Sequence, residues 1–309
     1  QPCSSAASDV YKRQGQCYLL LDEKPLAINA FKYASAINFD YKLKEDAAFN
    51  FVKLIYEEQS SYDNVVESIE QFIEDYPQSV HIDYVQDLLI KAYTSTKDFQ
   101  TAVDKLSALS SMSLPQQQVY QKLSYYLAAE HFVNKRYQQS ITWFDKSIKY
   151  PIDNKLFALA YYWKAEAYYH TKDYDNATES FKAFNIKDGS FLIEEYKQAH
   201  YSLAYTYYQS SKYKDAILWF RKYISLSDDI QKQTDAYLRL GDAYYMTQDY
   251  TRAQEFYGLA EESGAFDVDY AIHQQIQCFG LTNQIDKKRT ALSQLISDYP
   301  QSLYNDDAM

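Results

Sequence analysis

The side chains best suited to chemistry are scattered. The five histidines are His81, His131, His170, His200 and His273. None forms the H-x3-H or H-E-x2-H spacing that sets two imidazoles on one helix face for a metal. His170 and His200 sit where they could face each other across successive structural units, but a solvated or core role is expected for both. Cys17 and Cys278 are too far apart for a redox or metal motif and are expected to act as buried small apolar groups. No nucleophile elbow, phosphate-cradling glycine loop or dinucleotide fingerprint occurs. The 42 Asp and Glu are spread as on solvated helix faces, not paired for acid/base work. No catalytic residue, cofactor or metal site is expected, and the chain is not read as an enzyme.

What the sequence does concentrate is Tyr, 34 in 309 residues, with 16 Phe and 3 Trp against only 6 Gly and 6 Pro. Tyr offers a large rigid surface with a hydrogen-bonding tip, which is the chemistry of recognition. The formal charge of −11 disfavours non-specific binding to nucleic acid or to anionic membrane. No apolar run approaches the length of a membrane span.

The elements that must position these groups follow from a period. Short turns followed by an aromatic occur at Ser61-Tyr62, Asp98-Phe99, Arg136-Tyr137, Asp173-Tyr174, Lys212-Tyr213 and Asp249-Tyr250. The aromatics are 37, 38, 37, 39 and 37 residues apart, which signals a repeat architecture. Each unit reads as two amphipathic helices. Over 156–185, the first carries Tyr161, Ala165 and Tyr168, and the second carries Tyr174, Ala177, Phe181 and Phe184, at helical spacing. Asp98, Asp173 and Asp249 stand where second helices begin, suited to capping their free N–H groups. Asp75-Tyr76-Pro77-Gln78-Ser79 recurs 223 residues later as Asp298-Tyr299-Pro300-Gln301-Ser302, six periods on, each proline ending a helix.

These slots resemble the tetratricopeptide repeat, W-x2-L-G-x2-Y followed by A-x3-F and then P. Tyr237-x2-Leu240-Gly241-x2-Tyr244 with Ala253-x3-Tyr257 matches best. Leu203-Ala204-x2-Tyr207 with Ala216-x3-Phe220, and Ala165-x2-Tyr168 with Ala177-x3-Phe181, follow. Gly15-x2-Tyr18 with Ala27-x3-Phe31 opens the series, and Ala102-x3-Leu106 and Lys288-x3-Leu292 are weaker copies. The resemblance implies an all-α, right-handed solenoid of antiparallel helix pairs, with about seven or eight repeats cut off at both ends. Their bounds are 15–41, 45–78, 82–115, 119–152, 156–190, 194–228, 232–264 and 268–301, with 302–309 beginning another. The segment 186–193 lengthens one connection as an ordinary insertion. Residues 4–14, SSAASDVYKRQ, match codon for codon a translated transposase sequencing adapter, so 1–14 are expected to be an artefact.

In such solenoids the first helix of each pair lines a concave groove. The register places Tyr125, Tyr162, Glu166, Tyr169, Tyr201, Tyr205, Tyr208, Asp242 and Tyr245 there, with Lys91 and His170 at its margins. The resemblance implies a non-catalytic scaffold binding a peptide or partner helix, with no nucleic acid and no membrane span. Chaperone-binding members clamp a terminal carboxylate with Lys, Asn and Arg. Tyr125, Tyr162, Tyr201, Glu166 and Asp242 occupy those slots here, which makes an acidic C-terminal peptide a poor ligand. Two other readings are a glycan or small-ligand module, which needs exposed Trp143, Trp163 and Trp219, and the sensory arm of a regulator. The sequence style resembles tetratricopeptide proteins of the bacterial envelope and of Bacteroidetes-type bacteria, implying a periplasmic or outer-membrane-associated location.

Overall fold

The computed structural model describes residues 2–37, 40–58, 64–96, 99–108, 111–112 and 114–305. Among them are sixteen α-helices and no strand. The helices fall into two compact units, Gln1–Leu127 with Lys149–Ile152, and Ala128–Ile148 with Asp153–Met309. The turn signals at Ser61-Tyr62 and at Asp98 lie outside the described residues, as do 306–309.

The first unit holds α1 (Pro2–Leu20), α2 (Lys24–Ala36), α3 (Tyr41–Glu57), α4 (Val65–Asp75), α5 (Ile82–Thr96), α6 (Phe99–Ser107) and the start of α7 (Leu114–Val133). The stretch that reads as adapter lies within α1, where Lys12 Nζ meets Asp46 Oδ2 at 2.7 Å. Its Ala, Lys, Arg and Gln are good helix formers, so the helix continues through it. Gly15 marks the closest approach of α1 and α2, since a Cβ there would lie 2.8 Å from the Phe31 ring. Cys17, expected to be buried, is exposed. It stands about 200° around the helix from Gly15 and so points away from α2.

The second unit continues with the end of α7, α8 (Tyr137–Ile148), α9 (Asn154–His170), α10 (Tyr174–Asn185), α11 (Glu195–Gln209), α12 (Tyr213–Ile224), α13 (Ile230–Met246), α14 (Tyr250–Ser263), α15 (Val268–Leu281) and α16 (Ile285–Asp298). Successive helices pack as antiparallel pairs. A first helix such as α9 also touches α8 and α11, which is why it buries residues on several sides, from Ala158 and Leu159 to Tyr162 and Ala165. Asp173 and Asp249 cap the second helices as expected, accepting from the N–H of Asn176 and Arg252. Phe181, Phe184, Phe220 and Tyr257 fill the space between pairs and are fully or almost fully buried. A Cβ on Gly241 would lie 2.4 Å from the Tyr257 ring, so only glycine lets α13 and α14 close to this distance. In the divergent last pair, Lys288 takes a small-residue slot and its chain runs past Gly280, 3.5 Å from where a Cβ would be.

One backbone device recurs within the pairs. The residues just past the first helices, Asp22, Lys135, Lys172, Ser211, Gln248 and Asn283, all have φ between 57° and 63°. Around Lys172, its N–H donates to the carbonyl of Tyr169 and the N–H of Asp173 to that of Tyr168. This double bond pattern ends a helix with a left-handed residue, here without glycine. Both Tyr-Pro-Gln-Ser copies also form the same turn, with the N–H of Ser79 on the carbonyl of Tyr76 and that of Ser302 on Tyr299. The connection at 186–193 contains Gly189 at φ 76° and a short three-ten turn, Ser190–Leu192. No helix among the described residues is long and apolar enough to cross a membrane.

Candidate functional site

Eight of the nine expected groove residues lie in the second unit, on α9, α11 and α13. Tyr125 lies on the α7 segment of the first unit, half-buried beside Tyr126. Lys91 on α5 and His170 at the end of α9 are exposed.

Two first helices of the second unit, α11 and α13, are joined by side chains at a constant offset. Lys232 Nζ donates to Gln198 Oε1 at 2.6 Å, and Tyr201 OH to Asp235 Oδ2 at 2.7 Å. Arg239 Nε donates to Tyr205 OH, and Tyr208 OH to Asp242 Oδ2, each at 3.3 Å. Each pair is 34 residues apart, and the four rungs step along both helices by three, four and three residues. That stepping keeps them on one face of α11 and of α13. Tyr205 OH also donates to Asp235, whose other oxygen lies 3.5 Å from Arg239 Nε. Between α9 and α11 a further link runs from Ser202 Oγ to Glu166 Oε1 at 2.6 Å.

Asp242 is the hub. Its Oδ2 accepts from Tyr208 and from Arg239 Nη1 at 2.7 Å, and its Oδ1 accepts from Tyr257 at 2.8 Å and Tyr270 at 2.7 Å. It is 7% exposed. Asp242 and Tyr162, expected on the groove surface, are therefore interior groups. Tyr162 is 4% exposed because its ring is wedged against Phe181, Phe184 and Trp163.

The electrostatics follow from this enclosure. Burial pushes Tyr208 up to about 12, with the Asp242 charge adding to it. Burial also raises Tyr162, Tyr169, Tyr201, Tyr205, Tyr257 and Tyr270. It raises the Glu166 carboxyl, with Ser202 and Tyr162 opposing through hydrogen bonds. Burial works against the Arg239 guanidinium, but Asp242, Tyr205 and Asp235 outweigh it and hold its pKa above the ordinary value. The hydroxyls of Tyr201, Tyr205 and Tyr208 are committed as donors. The Tyr205 oxygen also accepts from Arg239 Nε.

A second regular feature lies at the turn edge. Phe132 and Tyr137, Tyr169 and Tyr174, Tyr208 and Tyr213, Tyr245 and Tyr250 form four ring pairs with centroids 5.5, 5.8, 5.6 and 5.4 Å apart. All eight rings are half-buried. Each pair brackets a left-handed turn residue, which brings the end of one helix against the start of the next. Tyr169, Tyr208 and Tyr245 of the expected groove thus hold equivalent places in successive repeats.

The histidines do not converge. His170 stacks on Tyr137 at 4.6 Å, whereas His200 is buried against Trp219 and Tyr196 with Nδ1 2.8 Å from the Tyr196 carbonyl oxygen. Burial lowers the His200 pKa. Among the described residues no group of three or more His, Cys, Asp or Glu could hold a metal ion. Sequence reasoning missed Asp235, Arg239, Ser202, Tyr257 and Tyr270. The offset of 34, close to but distinct from the repeat period, is a signal for Asp235 and Arg239, whereas Ser202, Tyr257 and Tyr270 stand 36, 15 and 28 residues from their partners and follow no such spacing.

Tetratricopeptide-repeat family models match residues 158–184, 186–231, 235–259 and 270–302. No curated protein matches the sequence. Among solved structures the chain is similar to YrrB, described as a tetratricopeptide protein with an unusual peptide-binding site, at 14% identity and TM-score 0.49, covering 67% of this chain and 94% of that one. It is also similar to the C-terminal part of a tetratricopeptide protein from Cytophaga hutchinsonii, at 14% identity and TM-score 0.47, covering 84% and 99%. A third is PilF of Pseudomonas aeruginosa, at 16% identity and TM-score 0.40, covering 98% and 97%. The family models thus mark tetratricopeptide repeats within residues 158–302.

Proposed function

We propose that the first-helix face of α9, α11 and α13, with the adjoining turn-edge rings, binds an extended peptide or a partner helix whose contacting side chains are apolar and basic. Tetratricopeptide repeats serve as protein-interaction scaffolds, and the finer reading rests on one observation. Half-buried Tyr169, Tyr208 and Tyr245 recur at equivalent positions, and the neighbouring network turns the hydroxyl donors of Tyr201, Tyr205 and Tyr208 inward. Such a surface suits apolar groups against the rings and N–H or cationic donors against the phenol oxygens. The carboxylates of Asp235 and Asp242 lie just below it and favour positive partners over acidic ones. The tryptophans supply no open stacking platform for a glycan. Trp143 is 8% exposed with Lys146 Nζ 3.5 Å over its ring, and Trp163 and Trp219 are half-buried in aromatic clusters.

The test is selection of a random linear peptide library displayed on phage against the full chain. Enriched peptides should combine apolar and basic positions. Tyr169→Ala and Tyr245→Ala stand outside the hydrogen-bonded network and should each weaken them about tenfold to thirtyfold, the loss expected of a central aromatic anchor. Peptides that bind both variants as tightly as the parent chain would remove this face from consideration.

A further inference from the structure

The first unit contains a cavity that the recognition face does not use. It has a volume of about 360 Å³ and lies among α4, α5, α6 and the start of α7. Its origin can be traced to sequence. The slot filled by Phe181, Phe220 and Tyr257 in later repeats holds Leu106 here. The helix that carries it, α6, has only nine residues and buries only Ala102 and Val103. A leucine in an aromatic slot leaves unfilled space, and the short helix does not collapse into it.

The apolar walls are Ile73, Leu89, Leu106 and Val119. A buried amide reaches the same space. Gln86 is 4% exposed, lines the cavity, and its Nε2 has no hydrogen-bond partner. A buried amide left without an acceptor is destabilising, so an acceptor placed in the cavity would satisfy it. One water would occupy about 30 Å³, far less than the space between the apolar walls. The rim selects by charge. Glu70 accepts from Tyr93 OH and, at 3.1 Å, from Lys105 Nζ, so the nearby cation is already committed. Glu74 adds a second negative charge. An anion would be repelled, and Glu70 has no need of a further cation.

We propose that this cavity is a binding site for a neutral small molecule with an apolar, preferably aromatic, body and one carbonyl oxygen that accepts from Gln86 Nε2. Its volume lies in the range of ordinary small-ligand pockets, roughly 300–1,000 Å³, and well above the ~150 Å³ that suffices for a single benzene ring. The site lies in the first unit and is independent of the recognition face of the second.

The probe is prodan, a neutral naphthalene dye carrying one ketone, added to the full chain and followed by its emission. Saturable one-to-one binding with a blue shift is expected. Gln86→Leu keeps the volume but removes the donor, and should weaken binding about twofold to tenfold, the range for a neutral hydrogen bond. Leu106→Phe installs the aromatic that Phe144, Phe181, Phe220 and Tyr257 supply in four other repeats, so it should fold normally, raise the melting temperature and abolish saturable binding. Anionic anilinonaphthalene sulfonate should bind at least tenfold more weakly than prodan. Absence of saturable prodan binding, an affinity unchanged in either variant, or equal affinity for the anionic dye overturns the proposal.

Discussion

Replacing Asp242 by Asn is the sharpest test of whether the side-chain network supports the second unit. The carboxylate accepts four hydrogen bonds, two on each oxygen. Asn keeps one accepting oxygen and puts an NH2 group where the other stood. The Tyr257 side is the worse place for that NH2, because Tyr257 is 1% exposed and its hydroxyl would be stranded. The amide will therefore turn its NH2 toward Arg239 and Tyr208. That loses one charge-assisted bond, worth about 1.5–3 kcal/mol, and one weaker bond from Tyr208. Arg239 is only partly relieved by Asp235, at 3.5 Å, and by its own 26% exposure. A net loss of about 2–4 kcal/mol follows. Urea titration read by circular dichroism measures it, with the slope unchanged if the unfolded state is unaffected. Adding Arg239→Met should recover part of the loss, because the stranded cation is then gone. A loss under ~1 kcal/mol, or a double variant as unstable as the two single losses combined, would show that the hub contributes little.

Phe181→Ala removes a fully buried ring and should cost about 3–5 kcal/mol in the same titration. Gly241→Ala forces a methyl against the Tyr257 ring and should cost about 1–3 kcal/mol. Lys172→Gly acts in the opposite direction. At φ 62° glycine relieves left-handed strain, and a gain of about 0.5–1 kcal/mol in urea midpoint stability is expected. Alkaline pH probes the network. Tyr208 titrates at about 10 when unfolded and is pushed up to about 12 in the fold, so its stabilisation is complete below pH ~10 and lost as pH rises toward 12. Phenolate absorbance should therefore lag behind that of the urea-unfolded chain over this interval, and Tyr208→Phe should reduce the lag.

The fold is legible in the sequence because its determinants are local and periodic. Ala and Gly at fixed offsets from Tyr and Phe specify where two helices approach and what fills the gap, and Asp173 and Asp249 mark helix starts by capping. Any reader of period and spacing recovers those features. The left-handed turns are harder to see. Lys135, Lys172, Ser211 and Gln248 are not residues that advertise positive φ, and only the repeated backbone hydrogen bonds impose it.

The candidate site is less legible for a geometric reason. Repeat logic compares a residue with its equivalent about 37 positions on, whereas the side chains that join α11 to α13 are 34 apart. The shift of three is nearly one helical turn, so a touching pair occupies different slots in the repeat. Asp242, aligned by repeat with Glu166 and Tyr205, looks like one more groove residue. Its actual partners, Tyr208 and Arg239 among them, belong to other slots. Tyr162 misleads similarly, since its slot says inner face while the rings of Phe181 and Phe184 enclose it. Tyr169 and Tyr245 have no carboxylate at the 34-residue offset, where Leu203 and Phe279 stand instead. Their rings remain half-buried at the turn edge, where the ladder stops.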